Sequence, residues 1–403
     1  MGLRIGSICV LLIVCICVIA SSVRPPLDVE GASASLYYRD LGITHGVHLE
    51  PISIPPDYTY GDEILAFNTL TEKDIGVLMY YTAWQGNSYT GTYFDPYPLI
   101  LIADGITDPS RRPVILLTWE PLYGSVTWGC DKNYSGLIPP TDIIEGDCDV
   151  YLTNVANELN ARPERFIMRF AHEMNISDSP WWPGHFPGED ASLYVSMYRH
   201  VNQIFVDAGV DNVEWLWSPN YASYPDVAWN AIPNYYPGDD VVDWIGLSGY
   251  NWYKSPGHLS SPWQSFEYLF DDVLKDLACR YAKPQIIAEI GSVEGDVSSP
   301  SKADWIADAY LKAPNYPFLR SIVWFNDYAG SIPTNPDFRV TTTSQPSGPP
   351  NVSPLPAAPP HAWTQAYQAA IANSTYNSTF PSLTAATPPH PICTELFLPI
   401  ITR

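Results

Sequence analysis

Two glutamates in this sequence each close a short apolar run. Glu173 follows Arg169-Phe170-Ala171-His172, and Glu289 follows Ile286-Ile287-Ala288. A barrel strand that ends in a carboxylate delivers the group to the open face, where loops build a pocket. Two carboxyl groups about 5–5.5 Å apart can split a glycosidic bond with retention of configuration. One must be protonated to assist the departing oxygen and the other ionised to attack the anomeric carbon, and proximity drives their pKa values apart. Taken singly, either glutamate also reads as half of a salt bridge. As a pair on opposed strands with tryptophans nearby, they read as catalytic.

The elements that must position them follow a repeating pattern. Apolar, β-rich runs cover Ile75–Tyr81, Pro113–Leu117, Phe166–Phe170, Val213–Trp217, Trp244–Leu247, Gln285–Glu289 and Leu319–Phe325, with an eighth near Gly46–Leu49. Continuous apolar runs fit strands covered on both faces. Amphipathic stretches lie between them, at Val150–Leu159, Leu193–Ala208, Phe266–Tyr281 and Lys302–Leu311; Ser301 with Asp304 signals a helix start. Strand–helix alternation of this length predicts a closed (β/α)₈ TIM barrel in the α/β class, with an open doubly wound sheet as the rival. No GxGxxG follows an early strand, which removes the usual reason for the rival. Glu173 then ends strand four and Glu289 strand seven, across the barrel mouth from each other.

Composition narrows the ligand. The chain has 403 residues and a formal charge of −23, which opposes encounter with nucleic acid or anionic polysaccharide and favours a neutral partner. Aromatic residues make up 13%, including 14 Trp and 27 Tyr. Flat aromatic faces suit the C–H faces of uncharged sugar rings. No cofactor is implied, and no CxxC or His-rich cluster suggests a metal.

The ends read differently from the middle. A short positive start, the apolar run Ile5–Ala20 and small residues after it predict an export signal over 1–22, with an uncleaved anchor as the alternative. Secretion, no membrane span in the mature chain and a monomer are expected. The barrel domain is placed at 35–380, a Pro-rich insertion at 341–360 before a closing helix at His361–Asn373, and a tail at 381–403 with an apolar end. Four cysteines remain beyond the signal: Cys130 is paired with Cys148 across one loop, and Cys279 with Cys393 by elimination. Asn-x-Ser/Thr sites stand at Asn133, Asn175, Asn351, Asn373 and Asn377.

Several segments in fixed order resemble glycoside hydrolase family 26. They are Arg169–Asn175, Glu214–Asn220, Tyr235–Asp239, Val242–Gly246, Gly249–Trp252, Ala288–Gly291 and Asp337–Val340, so the likeness runs roughly from Tyr80 to Ala372. The resemblance implies a retaining hydrolase of β-mannan, with mixed-linkage β-glucan or xylan as alternatives. It makes Glu173 the acid/base and Glu289 the nucleophile. It also has His172 orient groups beside the nucleophile, Tyr250 hold it through its hydroxyl, and Trp324 floor a sugar subsite. Family members often follow Glu-Met-Asn with Gly; here Ile176-Ser177-Asp178-Ser179-Pro180 intervenes before Trp181 and Trp182. Trp182 is taken as the stacking residue of that altered loop. Trp119, beside Glu120 after strand three, is counted with the substrate-binding residues, and Glu120 reads either as a sugar ligand or as a loop cap. Rival readings are a non-catalytic glycan-binding protein, which would lose a carboxylate, and a metal-dependent esterase, which would need ligand spacing that His172, His185 and His200 lack.

Overall fold

The computed structural model describes residues 42–49, 59–84, 91–123, 129–132, 134, 136–188, 190–296, 298–327, 336–341 and 362–382. The expected export signal, nearly all of the Pro-rich insertion, the apolar tail and Cys393 lie outside these residues.

The barrel strands are β1 (Ile43–His48), β2 (Val77–Trp84), β3 (Val114–Tyr123), β4 (Phe166–Phe170), β5 (Val213–Trp217), β6 (Trp244–Asn251), β7 (Gln285–Ser292) and β8 (Leu319–Phe325). Each pairs in parallel with the next. β8 returns to β1 over Thr44–His48, which closes the (β/α)₈ barrel. The helices are α1 (Tyr60–Thr71), α2 (Tyr97–Gly105), α3 (Pro140–Glu145), α4 (Asp149–Asn160), α5 (Ala191–Asp207), α6 (Phe266–Tyr281), α7 (Lys302–Lys312) and α8 (Ala362–Ala372). After β5 the connection uses two 3₁₀ turns, Ala228–Asn230 and Ile232–Tyr235, and no α-helix among the described residues.

Local chemistry explains several of these boundaries. Ser301 caps α7 in a reciprocal box with Asp304, the signal legible in the sequence and worth about 1 kcal/mol. The same box, Thr59 with Asp62, starts α1. Cys130 and Cys148 form a disulfide across the loop before α4. No helix among the described residues is long and apolar enough to cross a membrane.

Strand parity decides where side chains go, because successive residues face opposite sides. One buried cluster gathers Val77, Met79, Leu116, Ile167, Leu216, Trp244, Ile286, Ala288 and Val323 inside the barrel. Their strand neighbours Leu78, Leu117, Met168, Trp217, Ile245, Ile287 and Ile322 belong to the larger cluster under the helices. Toward the C-terminal end the inward positions turn polar on every strand but β8, which presents Phe325: they are His48, Tyr81, Thr118, Arg169, Ser248 and Glu289, with Ser218 just after β5. A dry floor thus supports a polar layer at the C-terminal mouth, where barrel enzymes place their chemistry.

Candidate active site

Arg169 occupies the centre of the polar layer and is buried. Its Nε donates to Ser218 Oγ at 2.9 Å and its Nη2 to Ser248 Oγ at 2.6 Å. Its Nη1 pairs with Glu289 Oε1. A buried arginine needs a carboxylate and satisfied donors, and β5, β6 and β7 each supply one. Tyr81 of β2 donates to Glu289 Oε1 at 2.6 Å, and the Tyr250 hydroxyl of β6 donates to Oε2. Burial pushes the Glu289 carboxyl up, but the Arg169 charge and the two hydroxyls outweigh it and hold the group at about 2. Glu289 is ionised at neutral pH.

Strict alternation would not aim Glu289 this way. Ala288 already faces the barrel interior, so Glu289 should face the helices. The β6–β7 register jumps instead from Leu247↔Ile287 to Ser248↔Glu289 and skips Ala288. This irregularity turns Glu289 inward beside Ser248, as bulges next to active sites do.

Glu173 is held differently. It lies just past β4, with φ 53°, and Ala171 has φ 45°. Left-handed backbone at two non-glycine residues is stored strain that neighbours must enforce. The Glu173 N–H donates to the Ser218 carbonyl at 2.8 Å, and Ser179 Oγ donates to the Glu173 carbonyl at 2.7 Å. Its carboxylate takes one amide bond, from Asn220 Nδ2 at 3.1 Å. Burial and the neighbouring Glu289 charge raise its pKa to about 7, against the lowering pull of Arg169 and Asn220. The two glutamates therefore sit within electrostatic reach in opposite protonation states.

His172 lies between Tyr81 and Trp181, with ring centroids 5.8 and 5.4 Å away, and its carbonyl accepts from Trp181 Nε1 at 2.7 Å. Burial and the Arg169 charge lower it to about 3, so the ring is neutral. Its Nδ1 has no hydrogen-bond partner among the described residues. Tyr250 is backed by Phe338 at 4.8 Å. Phe338 is fixed from behind by Lys302, whose Nζ donates to the carbonyls of Asp337 at 3.0 Å and Arg339 at 2.7 Å.

The structure places Glu173, Glu289, His172 and Tyr250 together and puts two of the tryptophans elsewhere. Trp324 does not floor the mouth. It has outward parity, packs against Trp305 and Tyr367 at 6.0 Å each, and donates Nε1 to the Phe338 carbonyl at 2.8 Å. Phe325, one residue on, points inward, stacked on His48 at 4.7 Å and edge-on to Tyr250 at 5.6 Å. Trp119 is likewise outward, packed on Trp84, Phe170 and Phe205. Trp182 is half-buried: its indole donates to Asn230 at 2.9 Å and its ring meets Trp229 at 5.5 Å. Sequence reasoning gave no role to Arg169, Tyr81, Asn220, Ser248 or Phe325. A lone charge within Phe-Ile-Met-Arg-Phe was a usable signal, since a buried strand tolerates arginine only with a partner.

Among the described residues, one group has the spacing to hold a metal, Asp142, Glu145 and Asp147. The Lys132 ammonium already spans Asp142, at 3.1 Å, and Asp147. This cluster lies on α3 and the turn after it, in the connection between β3 and α4.

Residues 142–297 match the family model described as Glycosyl hydrolase family 26, a span that contains Glu173, Asn220, Tyr250 and Glu289. Over this span the chain is similar to family 26. Endoglucanase H of Acetivibrio thermocellus is 29% identical over 266 residues, covering 66% of this chain and 26% of that protein. Mannan endo-1,4-beta-mannosidase A and B of Caldalkalibacillus mannanilyticus is 27% identical over 163 residues, covering 39% of this chain and 28% of that protein. The chain thus spans about a quarter of the length of these curated relatives. Among solved structures, the catalytic domain of the Bacillus sp. JAMB-750 GH26 endo-beta-1,4-mannanase superposes with a TM-score of 0.56 at 18% identity, covering 88% of this chain and 92% of that one. A modular endo-beta-1,4-mannanase from Cellulomonas fimi gives 0.54 at 19% identity, covering 88% and 76%. These two family 26 likenesses are of fold.

Proposed function

We propose that this protein is a secreted, retaining endo-β-glycanase that hydrolyses β-1,4-mannan, with Glu173 as acid/base and Glu289 as nucleophile. The observation that carries the reading is the opposed electrostatics of the two glutamates. Arg169, Tyr81 and Tyr250 keep Glu289 an anion, while burial and that anion keep the Glu173 proton in place up to about pH 7.

In the first step a Glu289 oxygen bonds to the anomeric carbon as the bond to the leaving oxygen breaks, and Glu173 gives that oxygen its proton. The ester removes the negative charge of Glu289. The repulsion that raised Glu173 disappears with it, so Glu173 is left as a base. It then takes a proton from water, the water oxygen bonds to the anomeric carbon, and Glu289 leaves as carboxylate. Two inversions give net retention. Neutral His172, with Nδ1 unengaged among the described residues, is placed to meet a sugar hydroxyl near the nucleophile.

Mixed-linkage β-glucan is the second reading, favoured by the relative named Endoglucanase H, which aligns over more of this chain than the mannosidase does. Release of reducing ends from mannan, mixed-linkage glucan and xylan decides between them, with product configuration followed by NMR. Products of inverted configuration would remove the double-displacement reading, and a faster rate on glucan would replace mannan as the substrate.

A further inference from the structure

The loop after β5 carries an exposed aromatic residue beside the loop that holds Glu173. Tyr224 is 68% exposed, although its backbone is fixed. Its N–H donates to the Asn175 carbonyl at 2.9 Å, and its carbonyl accepts from the Ser177 N–H at 2.8 Å. It also forms a parallel bridge with Ile176, three residues after Glu173.

The support behind it is continuous. Asn230 is buried; its Nδ2 donates to the carbonyls of Asn175 at 2.9 Å and Pro225 at 2.8 Å. Asn230 Oδ1 accepts from Trp182 Nε1 and from the Tyr235 hydroxyl. Gly184 presses on the Trp182 ring so closely that a Cβ there would come within 2.1 Å of it. With Asn230 at its edge and Trp229 and Gly184 against its ring, Trp182 is a buttress rather than a free stacking face.

Two other exposed tyrosines show what is distinctive. Tyr97 is 56% and Tyr268 is 65% exposed, but they sit on α2 and α6 in the outer helix layer. Tyr224 sits at the C-terminal mouth, hydrogen-bonded to the acid-carrying loop. An aromatic ring in water on a braced backbone has lost little freedom that binding must still remove, which favours stacking on a flat apolar face.

We infer that Tyr224 is a stacking platform for a distal sugar of a neutral β-linked glycan, on the leaving-group side of the cleaved bond. The inference rests on the acid role proposed for Glu173, because the loop that delivers the proton to the departing sugar is the one Tyr224 adjoins. The formal charge of −23 favours a neutral chain over a uronate polymer, because long-range repulsion opposes the encounter with the latter.

The test compares wild type, Tyr224→Ala and Tyr224→Trp, with Tyr97→Ala and Tyr268→Ala as controls, on mannan and mixed-linkage glucan oligosaccharides of increasing length. Tyr224→Ala is expected to lower kcat/KM about 3- to 10-fold on the longest oligosaccharides. It should leave an aryl glycoside with a single-ring leaving group unaffected, and Tyr224→Trp should restore the rate. Equal losses at every length, or no loss at any length, overturn the platform while leaving the hydrolase reading intact. If wild type cleaves none of these glycans, the hydrolase reading fails, and calorimetric titration with the hexasaccharides decides the platform alone. Weaker binding by Tyr224→Ala than by the controls then supports it, and equal or undetectable binding overturns it.

Discussion

The ends of β4 and β7 solve opposite problems with different materials. At β7 the carboxylate sits within the strand, turned inward by a register irregularity and gripped by a cation and two phenols. At β4 it lies past the strand end on left-handed backbone, and its side chain takes one amide bond from Asn220. A group that must stay anionic calls for fixed positive charge and donors, which lower its pKa. A group that must give up and retake a proton needs a pKa close to the working pH, so few strong donors can surround it. The β4 end gives its carboxylate only neutral donors, Asn220 and Ser248, whereas the β7 end gives its carboxylate a cation and two phenols.

The largest effect should come from removing the β7 carboxylate. Glu289→Ala is expected to lose activity by roughly 10⁴-fold or more, on substrates with good and poor leaving groups alike. Glu173→Ala should cost about 10²–10⁴-fold on polysaccharide and much less on aryl glycosides with acidic leaving groups, which depart without a proton. Parallel losses for the two variants across leaving groups would erase the distinction between the two ends.

Next in size is Arg169→Met. It leaves Glu289 buried without its counter-charge, a change that costs on the order of 3–5 kcal/mol of stability in comparable sites. The Glu289 pKa should rise, so the acid limb of kcat/KM should move toward neutral pH. Denaturant melts and a pH profile check both effects. An unmoved acid limb would mean that the two phenols alone hold the anion.

The wild-type pH profile sharpens the same contrast. Loss of the Glu173 proton as pH rises should give an alkaline limb near the pKa of about 7, whereas Glu289 stays ionised down to about 2. The smallest effect is expected from Asn220→Ala. The Asn220 amide favours the charged form of Glu173, so its removal should shift the alkaline limb to higher pH. A shift to lower pH would show that Asn220 acts on the protonated form instead.

Much of this was legible in the sequence, for physical reasons that differ by element. Phe166–Phe170, Val213–Trp217 and Leu319–Phe325 were readable because a strand covered on both faces is continuously apolar, and α6 because its amphipathic period is clean. The barrel followed from the alternation, although α1, α2 and the short α3 were missed; α2 is apolar enough to blur its period. Glu173 and Glu289 both read as strand-end carboxylates, and Glu173 does follow β4, but β7 runs on past Glu289 to Ser292. The inward turn of Glu289 was not legible, because it depends on a cross-strand register that one strand's pattern cannot reveal. Trp324 and Trp119 were misplaced for a related reason: residue type suggested stacking, while parity, once anchored by Val323 and Leu116 inside the barrel, sends both under the helices. Asn220, far from Glu173 along the chain, meets it only through the fold.

That parity has a consequence for how the mouth is held in register. On β8 two aromatic residues stand side by side, one presented to the mouth and one tied into the scaffold by the hydrogen bond from Trp324 to the Phe338 carbonyl. A one-residue slip of this strand would exchange them, but it would also carry Val323 out of the barrel interior and Ile322 into it. The bond to Phe338 acts as a latch on that slip.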